Sequence, residues 1–191
     1  MVYGIRLSGK KLPLVILPLT TIGYAAPGAV LGIGILVPLA YFDNWLADRI
    51  FDLTRYDPGL MFTGTSIAII LAYCVRFFSI AQQTVDGALG RVSPSLSNAA
   101  RSLGRNKLQV LWEIYRPLIS ASTATALLLV FVDCVKELPA TMLLRPFNFE
   151  TLATRVHVQA SLEDLPNAAP GAILIVLIGL CAVFLLARVT K

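Results

Sequence analysis

Asn98-Ala99-Ala100-Arg101-Ser102-Leu103-Gly104-Arg105-Asn106-Lys107-Leu108-Gln109-Val110-Leu111-Trp112-Glu113-Ile114-Tyr115-Arg116-Pro117 is a polar, basic stretch between two apolar segments of membrane-crossing length. It reads as two helices joined by a tight turn. Just upstream, Ser93 and Pro94 supply a capping hydroxyl and a first-turn proline. Residues 94–103 contain no internal breaker. Gly104 is placed to end that helix, because a terminator often needs a left-handed residue. Asn106 can cap a second helix with Leu108, Leu111, Trp112 and Tyr115 on one face. Pro117 is expected to separate this helix from the next apolar segment. Ala99 and Ala100 leave room for a partner to approach closely. A regular helical loop on one side of a membrane suits a pore moved by a soluble motor. The plainer alternative is a helix pair lying on the lipid.

Composition sets the solvent. The chain has 191 residues, 57% hydrophobic and 14% charged, with a mean hydropathy of +0.75. Soluble domains carry about 25% charged residues, so lipid surrounds much of this chain. The net charge of +5 is not clustered with exposed aromatics, which argues against nucleic acid as a partner. A crossing helix needs roughly 20 apolar residues. Residues 60–81, 118–135 and 168–187 qualify. Residues 12–42 are too long for one simple span and carry Pro13, Pro18 and Ala26-Pro27-Gly28. They read as an interfacial segment, a break at Pro27-Gly28, and a crossing helix to about Phe42. Such a break is either an ordinary kink or a discontinuity satisfied by protein or a water-filled cavity.

Orientation follows from Lys and Arg in short loops. Ten basic residues fall on one side: Arg6, Lys10, Lys11, Arg91, Arg101, Arg105, Lys107, Arg116, Arg188 and Lys191. Four fall on the other: Arg49, Arg55, Arg145 and Arg155. Arg76 and Lys136 are set aside as lying at span ends. Four crossings, with both termini and the 82–117 loop in the cytoplasm, satisfy this asymmetry. The start lacks the compact pattern of a signal peptide. Cys74, Cys134 and Cys181 fall in spans and behave as small apolar residues; no metal site is expected. Gly4-Ile5-Arg6-Leu7-Ser8-Gly9-Lys10-Lys11 imitates a phosphate-binding loop but lacks its final hydroxyl and its preceding strand. No nucleotide site is expected, and any energy source lies on another subunit.

The third span carries charges where they are costly. Asp133 and Lys136 are three apart and can pair. Glu137 is four from Asp133 and is expected on the same side. Pro139 then breaks the helix. Asp133, Lys136, Glu137 and Pro139 are the candidates for a solute path, although Lys136 and Glu137 can also simply snorkel at the outer interface.

Two stretches carry a family resemblance. Asn98-Ala99-Ala100, three residues, Gly104, nine residues, Ile114, one residue, Arg116-Pro117 resembles the Glu-Ala-Ala loop of ABC importer permeases, with Asn98 in place of the acid and Arg116 in place of a Leu. Lys136-Glu137-Leu138-Pro139-Ala140-Thr141, with Arg145-Pro146-Phe147 and Thr151-Leu152-Ala153-Thr154, resembles the iron(III) branch of the MetI-like type I permeases. Gly23-Tyr24-Ala25-Ala26-Pro27-Gly28 is similar to that family's broken segment.

The resemblance implies an all-α polytopic bundle of about four crossings with a cytoplasmic coupling loop, in the bacterial inner membrane. It implies one transmembrane domain over residues 1–191, with coupling helices at 93–115 and an outer loop at 138–167. The chain is expected to correspond to the C-terminal half of a two-repeat permease, as a fragment, a truncated reading frame or half of a split pair. Asn98, Ala99, Ala100, Gly104, Ile114 and Pro117 are then the ATPase-coupling residues. The implied partners are an ABC ATPase that binds ATP, a solute-binding protein, another permease half or copy, and the bilayer. This chain itself binds no cofactor, and iron(III) is the implied solute. Sulfate, molybdate, thiamine or polyamine are alternatives. A membrane enzyme lacks support, because no nucleophile is paired with a base.

Overall fold

The computed structural model describes residues 19–189. The N-terminal basic residues, the Gly4–Lys11 stretch, Pro13, Pro18 and Lys191 lie outside them. The described residues form helices and no strand. In order these are α1 (Leu19–Ala25), α2 (Gly28–Thr54), α3 (Ser66–Gly90), α4 (Pro94–Ser102), α5 (Lys107–Val110), a π-helical turn (Leu111–Tyr115), α6 (Arg116–Lys136), α7 (Pro139–Leu144), α8 (Leu152–Ser161) and α9 (Leu165–Val189).

Four helical stretches are long and apolar enough to cross a membrane: Gly28–Thr54, Ser66–Gly90, Lys107–Lys136 and Leu165–Arg188. Their number agrees with the sequence reading, but their ends do not. The first span was expected to stop near Phe42 and instead runs on to Thr54. The cause is Asp43. Its carboxylate accepts from the backbone N–H of Met61 (3.3 Å), Phe62 (3.0 Å) and Thr63 (2.5 Å). Fully paired with backbone donors, the acid can be buried inside the helix instead of ending it. The same contacts hold residues 61–63 in a turn. The second span therefore starts at Ser66, capped by Thr65, rather than at residue 60. At its other end it extends past Ala81 to Gly90.

A larger correction concerns Pro117. It does not separate the loop helix from the third span. Helix continues from Lys107 to Lys136, with a π-helical turn over Leu111–Tyr115 immediately before Pro117. Proline lacks an N–H for the ladder, and the widened turn absorbs that loss within a continuous helix.

At the centre, α3 packs against α6, against α1, and against the inner part of α2. The short α7 folds back onto α2 and α3, while α9 packs on α8 and α6. Lipid provides no hydrophobic drive for helix association, so small residues that permit close approach carry it. Ala68, Ala72, Ala126 and Ala140 are buried at these contacts, with Leu31, Ile69 and Leu144 between them. A broad apolar face of α9, including Ile173, Leu177, Leu180 and Phe184, stays exposed. Lipid is the natural solvent for that face.

Candidate functional site

Two helix breaks meet at one side chain. The first lies between α1 and α2. Ala26 closes α1 and Pro27 opens the next helix in an extended conformation (φ −55°, ψ 137°). The second lies between α6 and α7. Glu137 is extended (φ −69°, ψ 120°), and Pro139 is the first residue of α7. A helix that stops inside the membrane leaves backbone groups that protein must satisfy. Arg76, near the middle of α3, reaches both: it bonds a backbone carbonyl at the first and the capping carboxylate at the second. Its Nη1 donates to the Ala26 carbonyl at 3.0 Å. Its Nε forms an ion pair with Glu137 Oε2 at 3.1 Å, and both side chains are largely buried. The other Glu137 oxygen, Oε1, accepts from the Ala140 N–H at 3.2 Å and so caps α7. The Thr141 hydroxyl donates to the Glu137 carbonyl and meets the Tyr73 hydroxyl at 2.6 Å.

Gly28 makes this convergence possible. A Cβ there would sit 2.7 Å from Glu137 Oε1 and 3.2 Å from Arg76 Nη1. The glycine is required by close approach, not by its backbone angles. Gly23 plays the same part in α1, where a Cβ would overlap the Val75 carbonyl oxygen.

Of the residues nominated for a solute path, the structure brings Asp133 and Lys136 together as an ion pair of 2.7 Å. Glu137 does not share their side. The helix ends before it, and its carboxylate turns inward to Arg76. Nor does it snorkel, being 7% exposed. Arg76 was missed because the span was placed too early and so left it at an end. Its position eleven residues into a 25-residue helix makes it an intramembrane charge, and such a charge is itself the signal. Asp43 was missed because the first span was ended one residue before it, whereas the helix runs on to Thr54. Among the described residues, no group of three or more His, Cys, Asp or Glu is placed to hold a metal ion.

The 93–115 region forms two helices as read. Ser93 caps α4. Gly104 has φ +83°, and Gly104 N–H to Arg101 carbonyl (3.0 Å) with Arg105 N–H to Ala100 carbonyl (3.0 Å) closes α4 as a Schellman motif. Asn106 and Gln109 form a reciprocal capping box on α5. Asn98 and Ala99 are exposed, whereas Ala100 is buried. Ile114 lies in the π-helical turn and is half-buried; Pro117 is exposed. Leu103, Leu108 and Trp112 are all largely exposed, and Arg116 lies over the Trp112 ring at 4.8 Å. Arg105 pairs with Glu113 at 3.2 Å and so ties the inter-helix turn to the π-helical turn.

Four helices of crossing length, two helix breaks stitched by buried charge, and a capped helical loop define a polytopic helical membrane protein. The chain belongs to the family described as the binding-protein-dependent transport system inner membrane component, which matches residues 1–191. It is a multi-pass protein of the bacterial inner membrane. It is 31% identical over 160 residues to the Fe(3+)-transport system permease protein FbpB 2 of Haemophilus influenzae. It is 28% identical over 161 residues to the ferric transport system permease protein FbpB of Actinobacillus pleuropneumoniae. These alignments cover 84% and 83% of this chain but only 29% and 22% of the relatives. A Salmonella typhimurium protein provisionally named as a 2-aminoethylphosphonate transport system permease, PhnV, is 29% identical over 170 residues, 87% of this chain and 57% of its own length.

Proposed function

We propose that this chain is part of the membrane-spanning permease of an ABC importer for iron(III). The observation that carries the reading is the convergence of two broken helices on Arg76, within a family of transport components. Discontinuous helices at membrane depth are where transporters build solute paths. The similarity to ferric permeases supports iron(III) as the solute.

In this reading an ABC ATPase docks on residues 93–115, with Asn98, Ala99, Ala100, Gly104, Ile114 and Pro117 at or behind the contact. A solute-binding protein delivers from the opposite face, where residues 138–167 turn between spans. A second permease half or copy completes the pore. ATP binds and is hydrolysed on the partner. Closure of two ATPase subunits moves the 93–115 helices, and the bundle rocks between inward- and outward-facing forms. The Arg76–Glu137 contact holds one of those forms. Asp133, Lys136, Glu137 and Pro139 lie along the path.

A 2-aminoethylphosphonate importer is the second reading, supported by the PhnV-like relative and its better coverage. Uptake by proteoliposomes holding all subunits, ATP and the binding protein tests both. Radiolabelled ferric iron is expected to accumulate. Accumulation of labelled 2-aminoethylphosphonate without iron would overturn the first reading in favour of the second.

A further inference from the structure

The turn that joins α3 to α4 closes a cleft of about 370 Å³ against the start of α6. Ala88, Val92, Leu96 and Leu118 supply its apolar walls. Arg91 and Ser122 meet on its polar wall, where Arg91 Nη2 donates to Ser122 Oγ at 3.3 Å. Among the described residues, the Arg91 guanidinium makes no ion pair and no other hydrogen bond. Ser122 is the odd hydroxyl of α6. Ser120, Thr123 and Thr125 each donate to a carbonyl of their own helix. Ser122 accepts from Arg91 instead, and its own proton has no acceptor among the described residues. The remaining hydroxyl on the walls, that of Ser93, is spent capping α4. A cation beside a free O–H donor suits an anionic oxygen, which accepts from both.

The surrounding charge has the same sign. Residues 91–117 hold Arg91, Arg101, Arg105, Lys107 and Arg116 against one acid, Glu113, and Glu113 is already paired with Arg105. The apolar walls narrow the choice of anion. Leu96 and Leu118 are 47% and 56% exposed. A free ion gains nothing from them, whereas the glycerol backbone and first methylenes of a phospholipid do. Depth agrees. Trp112 is 59% exposed with Arg116 over its ring, and such an aromatic sits at the level of lipid headgroups. Leu118 follows six residues later, about 9 Å along the same helix. Basic pockets between crossing helices, on the side that the charge asymmetry makes cytoplasmic, bind anionic headgroups.

We propose that this cleft holds the headgroup phosphate of an anionic phospholipid, with Arg91 and Ser122 on the phosphate oxygens and Leu96 and Leu118 against the apolar part of the lipid. So seated, the lipid ties the start of the 93–115 loop to α6. The proposal rests on membrane placement alone and holds for any solute. An uptake experiment that finds no iron leaves it standing.

The test uses the complete transporter in phosphatidylcholine nanodiscs doped with phosphatidylglycerol that carries a photoactivatable group beside its phosphate. Labelled peptides are mapped by mass spectrometry at equal amounts of recovered complex. Labelling is expected within residues 88–96 and 118–122. Arg91→Gln is expected to lower it about fivefold, the effect of one cation at an anionic surface. Arg91→Lys is expected to keep most of it, and Ser122→Ala to lower it by less than Arg91→Gln. Arg101→Gln, at an exposed base of the same loop, is expected to leave it unchanged. Inorganic phosphate at millimolar concentration is expected not to compete.

Labelling that ignores Arg91→Gln, or that falls as far with Arg101→Gln, would overturn the proposal and leave only bulk attraction to a basic face. Equal labelling by a phosphatidylcholine analogue would remove the anionic headgroup. Competition by inorganic phosphate would assign the cleft to a soluble anion instead of a lipid. Labelling that appears only after the ATPase is stripped away would assign it to the ATPase.

Discussion

At the scale of single residues, Arg76 and Glu137 dominate. Removing one member of a buried ion pair leaves the other charge unpaired and costs about 3–5 kcal/mol. Arg76→Gln and Glu137→Gln are each expected to lower the thermal stability of the purified complex by that order. The double change is expected to recover much of the loss. Additive losses in the double variant would show that the two side chains act separately. Gly28→Ala inserts a methyl where Glu137 Oε1 already sits. It is expected to cost about 1–3 kcal/mol and to lower transport by spreading the two breaks. Full transport at unchanged stability would remove Gly28 from the convergence. Asp43→Asn keeps the shape but halves the acceptor capacity toward residues 61–63. A loss of about 1–3 kcal/mol and faster amide exchange at Phe62 and Thr63 are expected.

At the scale of elements, the cytoplasmic-type loop was the most legible part. Ser93, Gly104 and Asn106 act as their side chains and backbone preferences dictate, because capping is local chemistry. The third span was less legible. Pro117 has the sequence signature of a break, yet one wide turn absorbs it. Whether a proline breaks a helix or is absorbed depends on the surrounding fold, which no local window records. Glu137 was misplaced for a related reason. Helical spacing put it beside Asp133, but spacing applies only while the helix lasts, and this helix stops one residue earlier. Gly104→Pro removes both a donor and a residue with positive φ, so it is expected to destroy the turn between α4 and α5 while the spans still insert. Co-purification of the ATPase is expected to fall to background. Retained co-purification with normal transport would exclude this loop as the docking element.

At the scale of the whole molecule, hydropathy gave the number of crossings, and the tertiary contacts set their ends. The burial of Asp43 depends on a turn twenty residues away, and the paired state of Arg76 depends on residues 26 and 137. Such distant partners leave no periodic trace. The charge asymmetry makes a separate topological prediction. In a Cys-free background, a cysteine at position 106 is expected to resist an impermeant maleimide applied outside intact spheroplasts, while one at position 148 reacts. Labelling of position 106 from outside would invert the orientation.

The unbroken helix from Lys107 to Lys136 has a mechanical consequence. Thirty residues make a rod about 45 Å long. One end carries the loop proposed to dock the ATPase, and the other ends directly before Glu137. A tilt of roughly 10° about its midpoint would displace each tip by about 4 Å, more than the 3.1 Å that separates Glu137 from Arg76. Force applied at one face thus reaches the charge contact as leverage, to the extent that the π-helical turn before Pro117 transmits it without kinking.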